Sequence, residues 1–288
     1  MKEEFTGPTA KFRVQRVGRG RAAWVDDIVT TEEPMEIRVV HWDGGIETTV
    51  SVSVTMRTPG HDYELAAGFL YSEGIIEGSQ VIERVSHCQD PEIDQHYNIV
   101  NVYFKPGAAF DSSLLTRNFY TTSSCGVCGK ASLEALELKD YPHPAPDGPR
   151  VPVQLVYSLP DSLREGQRVF DRTGGLHAAG LFDVEGNLVS LREDVGRHNA
   201  VDKVVGQALL SGKLPLADRI LVVSGRTSFE IMQKALAAGI PVVVAVGAPS
   251  SLAVDIAQQF GMTLIGFAKK DRFNVYAGEG RLVGLEEA

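Results

Sequence analysis

The chain has 288 residues, of which 43% are hydrophobic and 23% are charged, as in an ordinary globular protein of one large domain or two domains. Its formal net charge of −9 argues against nucleic acid or an anionic membrane as a partner. Because no apolar run is long enough to cross a membrane and the polar N-terminus lacks a secretory signal, we expect a cytoplasmic protein.

The first half of the chain predicts an α+β region with local strand pairs. The predicted elements are strands over residues 37–42 and 48–55, a helix over 62–71, and strands over 81–87 and 97–104. Asp43-Gly44-Gly45 is typical of a hairpin turn, Asp62 is the expected N-cap of the helix, and Gly74 is expected to end it. A basic cluster near the N-terminus is interpreted as a solvated charge run: Lys11, Arg13, Arg16, Arg19 and Arg21.

Two of the three cysteines form a Cys-x-x-Cys sequence, Cys125-Gly126-Val127-Cys128. A helical pattern over residues 131–139 follows, and the positive end of a helix dipole favours a thiolate. Gly126 and Gly129 favour a mobile loop. Such a pair suits a redox couple, half of a metal site or a sulfur-carrying nucleophile, whereas Cys88 is expected to be a buried thiol.

A segment crowded with proline and glycine, from Pro142 to Pro152, predicts irregular structure. We place the boundary between two domains in it. Residues 1–145 would form the smaller α+β domain, with the cysteines at its end, and residues 146–288 an α/β domain.

The second half predicts alternating strands and helices. The expected order is a helix over Pro160–Phe170 capped by Asp161, a hairpin of 176–182 and 188–192, an amphipathic helix over 198–210, strands over 220–223, 241–246 and 263–266, and helices over 228–238 and 252–260. Short apolar strands that alternate with helices predict a parallel sheet covered on both faces.

Three strands of this sheet lead into loops that are rich in Gly, Ser, Thr or basic residues. Ligands bind beyond the carboxyl ends of such strands, where helix N-termini offer free N–H groups to phosphate. The cations expected there are Arg226, Lys269, Lys270 and Arg272. These residues predict a small ligand that carries phosphate, although neither a Walker sequence nor Gly-x-Gly-x-x-Gly is present.

Two histidines lie in polar segments of the same half. His177 alone is interpreted as structural. His198 is a functional candidate because Glu193, Asp194, Arg197 and Asn199 surround it in the sequence.

Ligand counting weakens the metal alternative for the cysteines. Tetrahedral zinc needs four ligands, or three and a water, whereas the pair supplies two. A nucleobase deaminase needs His-x-Glu, and here Ala179 follows His177 in place of the glutamate. We therefore expect no metal site, but a nucleotide-binding protein with a structural zinc and a thiol–disulfide oxidoreductase remain alternatives.

Four motifs together resemble the FdhD family of sulfur carriers that formate dehydrogenase activity requires. They are Ser124–Lys130, Thr173–Ala179, Glu193–Lys203 and Phe267–Tyr276, in the same order along the chain. The resemblance implies a cytidine-deaminase-like α/β domain and a homodimer.

It also implies the activity. A cysteine desulfurase would supply sulfur as a persulfide on Cys125, with Cys128 assisting. The recipient would be the molybdenum or tungsten bis-molybdopterin guanine dinucleotide cofactor, before its insertion into formate dehydrogenase. The cofactor-binding motif maps to six consecutive residues: Phe267, Ala268, Lys269, Lys270, Asp271 and Arg272.

Overall fold

The computed structural model describes residues 7–90, 92, 96–111, 136, 141, 143–146 and 148–284. The Cys-x-x-Cys sequence and nearly all of the helix predicted over 131–139 lie outside these residues. The described residues of the proline-rich segment before residue 151 contain no helix or strand, as predicted. The prediction is wrong for Val151–Pro152, which form a short strand.

The described part of the chain begins with a two-stranded antiparallel ribbon, which carries the exposed basic residues that were interpreted as a solvated charge run. Strands β1 (Thr9–Gly18) and β2 (Arg21–Thr30) pair along their full length. Arg19 and Gly20 close the turn with φ values of 49° and 74°, the left-handed conformation that a two-residue hairpin loop requires.

Next comes a four-stranded sheet with the order β4-β3-β6-β5 and one covering helix. Its elements are β3 (Glu33–Asp43), β4 (Ile46–Arg57), α1 (Asp62–Ser72), β5 (Ile82–His87) and β6 (Ile99–Phe104). The predicted hairpin turn is confirmed, since Gly44 and Gly45 have φ values of 57° and 88°. Cys88 is buried after β5, as expected.

The predicted cap of α1 is wrong. His61 is the N-cap, without a side-chain hydrogen bond, and the carboxylate of Asp62 is used elsewhere. It accepts hydrogen bonds from Arg57, with Nη2 at 3.1 Å, and from the backbone N–H of Gly60 at 3.1 Å. Asp62 therefore neutralises a fully buried arginine, which costs more to leave unpaired than a helix end does.

The second sheet has six strands in the order β13-β12-β11-β10-β8-β9. These are β8 (His177–Phe182), β9 (Leu188–Asp194), β10 (Ile220–Val223), β11 (Val242–Ala245), β12 (Thr263–Gly266) and β13 (Asn274–Ala277), while β7 (Val151–Pro152) pairs separately with β14 (Leu282–Val283). Strands β10, β11 and β12 are parallel, but β8, β9 and β13 run antiparallel to their neighbours. The fold class is α/β as predicted, and the sheet is mixed instead of parallel.

Helices cover both faces of this sheet, as the apolar strands predicted. They are α2 (Val153–Gly166), α4 (Arg197–Leu210), α5 (Phe229–Ala237) and α6 (Ser251–Gln259). The short helix α3 (Arg168–Thr173) contacts β2 instead. Val222 and Val244 pack on the side of α2, whereas Leu221 and Val243 pack on the side of α4, α5 and α6. None of the helices in the described residues is long and apolar enough to cross a membrane.

The helix predicted over Pro160–Phe170 is wrong in both bounds. Helix α2 begins at Val153 and contains Pro160, and α3 follows after a break at Gln167. Val156, Leu159 and Leu163 are fully or almost fully buried against the sheet on both sides of the proline. This apolar stripe holds the helix together where Pro160 cannot donate a backbone hydrogen bond.

Helix α4 is buried almost all round instead of amphipathic, because it lies between α1 and the second sheet. A Cβ atom on Gly68 of α1 would lie 1.9 Å from the carbonyl oxygen of Asp202, and one on Gly206 of α4 would lie 1.8 Å from that of Glu64. The two helices thus touch backbone to backbone. Helix α4 joins the two halves, and the domain boundary at residue 145 stays a prediction.

Candidate functional site

Three loops meet at the carboxyl ends of β10, β11 and β12. Their backbones continue the hydrogen bonding of the strands: Gly247 donates to the carbonyl of Gly225, and Phe267 donates to that of Gly247, both at 3.1 Å. The Gly247–Ser250 loop also accepts a hydrogen bond from Thr227 through Ala248. Residues from distant parts of the sequence therefore form one continuous edge, which we call the carboxyl edge.

Glycine permits this close approach. A Cβ atom on Gly247 would lie 2.8 Å from the carbonyl oxygen of Gly225, and one on Gly266 would lie 2.9 Å from Cδ of Pro249. A ligand at the carboxyl edge would accordingly meet backbone N–H groups and short side chains.

The six predicted cofactor-binding residues form the loop after β12. Phe267 has φ 52°, an uncommon left-handed conformation for a bulky residue, and the residue is 42% exposed. Ala268 is buried and donates its backbone N–H to Ala245. An exposed aromatic ring held in a strained conformation is a common feature of ligand sites, whereas Ala268 anchors the loop.

The loop carries three exposed cations, of which only Lys270 has an ion-pair partner among the described residues. The backbone N–H of Lys269 donates to the carbonyl of Arg272 at 2.9 Å, which closes the turn. Lys270 lies 3.4 Å from Asp161, the residue that was predicted to cap a helix. Lys269 and Arg272 form no ion pair within the described part of the chain. Their charges are available to an anion.

His198, at the start of α4, faces the N-terminus of α5. Its Nε2 atom lies 3.0 Å from Oγ of Ser228 and 3.8 Å from a carboxylate oxygen of Glu230. Burial and the charge of Arg197 lower the pKa of His198 to about 4. The imidazole is therefore neutral at pH 7 and can either donate or accept a hydrogen bond.

His177 and Arg197 line the adjoining part of the carboxyl edge. A Cβ atom on Gly225 would lie 3.3 Å from Nδ1 of His177 and 3.8 Å from Cδ of Arg197. Burial and the charge of Arg197 lower the pKa of His177 too. His177 was interpreted as a structural residue, and that interpretation does not account for its position beside the Gly225 loop.

The polar neighbours predicted for His198 serve other purposes. Glu193 accepts hydrogen bonds from the backbone of Val169 and Phe170 and so caps α3. Asp194 is completely buried and pairs with Lys203 at 2.6 Å. Asn199 donates to the carbonyl of Met56 at 2.8 Å. The predicted cluster is therefore wrong, except that Arg197 lies close to His198 and lowers its pKa.

Sequence reasoning missed Ser228 and Glu230 as the partners of His198. They lie about 30 residues further along the chain and meet the histidine only because α4 and α5 both begin at this edge. The one available signal was a serine at a predicted helix start, which is also a common structural cap.

Cys125 and Cys128 lie outside the described residues, so their predicted role is not tested. Among the described residues, no group of three or more His, Cys, Asp or Glu side chains could hold a metal ion.

Comparison with known proteins places the chain among close relatives. A protein named "Sulfur carrier protein FdhD" from Streptomyces avermitilis is 50% identical over 282 residues, which covers 95% of each chain. The protein of that name from Mycobacterium tuberculosis is 46% identical over 279 residues, covering 95% of this chain and 98% of the relative.

A solved structure has a similar fold. The crystal structure described as that of a formate dehydrogenase accessory protein from Desulfotalea psychrophila has a TM-score of 0.72 and covers 96% of this chain and 99% of its own. Its sequence identity of 24% supports a shared fold only. The sequence model of the FdhD/NarQ family matches residues 31–283, and together with the close relatives it shows that this chain belongs to the FdhD/NarQ family.

Proposed function

We propose that this protein is a cytoplasmic sulfur carrier that serves formate dehydrogenase. It would accept sulfur from a cysteine desulfurase as a persulfide on Cys125. It would then pass this sulfur to the molybdenum or tungsten bis-molybdopterin guanine dinucleotide cofactor, which is its substrate. The proposal includes Cys128 as an assisting thiol and a homodimer as the working form.

The first step is an exchange between sulfur atoms. The thiolate of Cys125 attacks the outer sulfur of the donor's persulfide, forms a new S–S bond, and releases the donor cysteine as a thiolate. No net oxidation is needed, because one S–S bond forms as another breaks. This step requires a thiolate in an accessible position, as the glycine-flanked Cys-x-x-Cys sequence predicts.

The observation that carries the proposal is the loop after β12, with its exposed Phe267 ring and two cations without an ion-pair partner among the described residues. Arg272 can bind phosphate through two parallel hydrogen bonds, and Lys269 contributes a point charge. Phe267 offers an aromatic face to a guanine or pterin ring. The N-terminus of α5 lies on the same edge and favours negative charge.

Sulfur loading is tested by mass spectrometry of the intact protein. After incubation with a cysteine desulfurase and cysteine, we expect the wild type to gain the mass of one sulfur atom, and the Cys125→Ala variant to gain none. Cys128→Ala is the matched control and should still be loaded. An unmodified wild type, or a Cys125→Ala variant that is loaded equally, would refute the assignment.

The same samples separate the two alternatives. One zinc per chain that is lost in Cys128→Ala would favour a structural zinc site. A disulfide that turns over with a thioredoxin reductant, without any persulfide, would favour an oxidoreductase.

Binding at the carboxyl edge is tested with GDP as the probe. Reversing both free charges, Lys269→Glu with Arg272→Glu, should weaken GDP binding by at least about 10-fold, since each charge-assisted contact contributes roughly 1.5–3 kcal/mol. The exposed Lys213→Glu variant is the control and should bind GDP like the wild type. Sulfur loading should not change in either variant. Unchanged GDP affinity in the double variant would remove the loop from the proposed site.

A further inference from the structure

The β1–β2 ribbon, residues 9–30, is attached to the rest of the protein at its root. There Oγ1 of Thr30 donates a hydrogen bond to Oγ1 of Thr173 at 2.9 Å, and Gly175 packs beside it. Beyond the root, every residue from Lys11 to Trp24 is exposed except Val14, which is half-buried. The ribbon thus extends away from its attachment with little covering.

Both faces of the ribbon present large apolar side chains. The register pairs Gln15 with Trp24 and Phe12 with Asp27, so Trp24 and Phe12 lie on opposite faces. They are 61% and 55% exposed. A lone two-stranded ribbon is only marginally stable in water, and both of its edges are open to pairing. A surface of this kind favours a binding partner.

The charges indicate what the partner is like. Residues 7–30 contain five Lys or Arg and two Asp, for a net charge of +3, whereas residues 31–288 contain 22 Lys or Arg and 33 Asp or Glu, for a net charge of −11. None of the five ribbon cations forms an ion pair within the residues that the structure describes. The acidic body of a second copy therefore complements the ribbon.

The size of the ribbon also favours a second copy. Ten residue pairs span about 33 Å, and two strands with their side chains are roughly 10 Å wide, so one face covers on the order of 300 Å². One ribbon on an unrelated protein would bury about 600 Å² in total, which is below the range of specific interfaces. Two ribbons exchanged between two copies would bury about 1,200 Å², which lies within that range.

We infer that two copies of this chain associate by exchanging their ribbons, each of which lies on the acidic body of the other. The ribbon would be the contact surface of the proposed homodimer. The inference depends on the proposed function only in assuming that two chains associate. The ribbon precedes residues 31–283, the part of the chain that the family model matches.

Sedimentation velocity over a range of concentrations tests this with the full-length protein. We expect a dimer whose dissociation constant rises by about 100-fold or more in the Arg13→Glu, Arg16→Glu double variant, which reverses one charge on each face. The matched control is Lys105→Glu with Lys213→Glu, which reverses two exposed lysines outside the ribbon and should remain dimeric. Raising the salt concentration should weaken the wild-type dimer.

Fluorescence provides a second measurement without charge reversal. Trp24 and Trp42 are the only tryptophans, so a Trp42→Phe variant reports on Trp24 alone. Its emission should shift to longer wavelength on dilution, as Trp24 becomes exposed to water.

A monomeric wild type would overturn both the dimer and the ribbon exchange. A dimer that survives the ribbon charge reversal, with Trp24 emission unchanged on dilution, would overturn the ribbon exchange alone. Binding of a single-stranded oligonucleotide that is lost in the double variant would instead assign the ribbon to nucleic acid. Sulfur loading on Cys125, measured in parallel, tests the carrier function separately.

Discussion

The buried region around α4 and the loop after β12 differ in whether their charged side chains are paired. Around α4, Lys203 pairs with Asp194 at 2.6 Å and Lys234 pairs with Asp202 at 2.9 Å, and all four residues are buried. In the loop after β12, Lys269 and Arg272 are exposed, without an ion-pair partner in the described structure. A buried charge needs a counterion within the chain, whereas an exposed charge is solvated by water and can bind an anionic ligand.

The backbone shows the same contrast. Helices α1 and α4 approach so closely that only glycine fits at Gly68 and Gly206. At the carboxyl edge, Phe267 keeps a left-handed conformation that a glycine would adopt without strain. The close packing of the interior stabilises the fold, whereas the carboxyl edge retains a strained backbone conformation that lowers stability. Substitutions at Lys203, Glu64 and Phe267 test this difference.

The largest effect is expected from breaking the pair between Lys203 and Asp194. Lys203 also donates to the carbonyl of Thr58 at 2.9 Å, so it connects the two halves of the chain. Lys203→Met leaves a buried carboxylate without its cation and should lower the free energy of unfolding by about 3–5 kcal/mol. Urea unfolding at pH 7 measures this.

The Lys213→Met variant makes the same substitution at an exposed lysine that forms no ion pair with any described residue. It should change the free energy of unfolding by less than about 0.5 kcal/mol. If Lys203→Met cost less than about 1 kcal/mol, the buried pair would not be what holds α4 in place.

Much of the second sheet was predictable from local sequence. Four-residue apolar runs gave β10, β11 and β12, and the Glu185-Gly186-Asn187 turn gave the β8–β9 hairpin. Strand direction was not predictable, because an apolar run reads the same whether its neighbour is parallel or antiparallel. The sheet was therefore expected to be parallel where it is mixed.

The failures share one cause, which is that distant contacts outweigh local preference. Asp62 suits a helix cap, but the buried Arg57 takes it as its counterion. Asp161 suits a cap too, but it lies inside α2, which begins at Val153. Pro160 suits a helix start, yet the sheet beneath α2 keeps the helix intact around it. In the candidate site, the loop after β12 could be predicted from its position after a strand, whereas the contact between His198 and Ser228 depends on packing between helices.

An intermediate effect is expected from the pair between Glu64 of α1 and Arg192 of β9. Burial raises the pKa of Glu64, but hydrogen bonds from Arg192, at 2.5 and 2.8 Å, and His61 outweigh it and hold the pKa at about 2. Since the usual value of 4.5 applies in the unfolded chain, this pair stabilises the fold above pH 4.5, and the contribution is lost as the pH falls towards 2.

Glu64→Gln should therefore lower the free energy of unfolding at pH 7 by about 1 kcal/mol, a value reduced to allow for the partial exposure of the pair. As the pH falls from 4.5 towards 2, the variant should lose less stability than the wild type, because it has no Glu64 carboxylate to protonate. Urea unfolding at several pH values measures both effects. The exposed Glu165→Gln variant should follow the wild type throughout. Equal acid sensitivity of Glu64→Gln and the wild type would show that this pair does not stabilise the fold.

The smallest effect has the opposite sign, and it concerns Phe267. Replacing the ring by glycine and by alanine removes the same contacts, but only glycine adopts φ 52° without strain. Phe267→Gly should therefore be more stable than Phe267→Ala by about 1 kcal/mol, less the greater entropy of glycine in the unfolded chain.

Both variants should bind GDP more weakly than the wild type, because both lack the aromatic face. A glycine variant that is more stable than the alanine variant, with weaker GDP binding in both, would show that the carboxyl edge gives up stability to hold a ring at the ligand. Equal stability of the two variants would mean that the backbone at Phe267 stores no strain, and the contrast with the interior would then rest on charge alone.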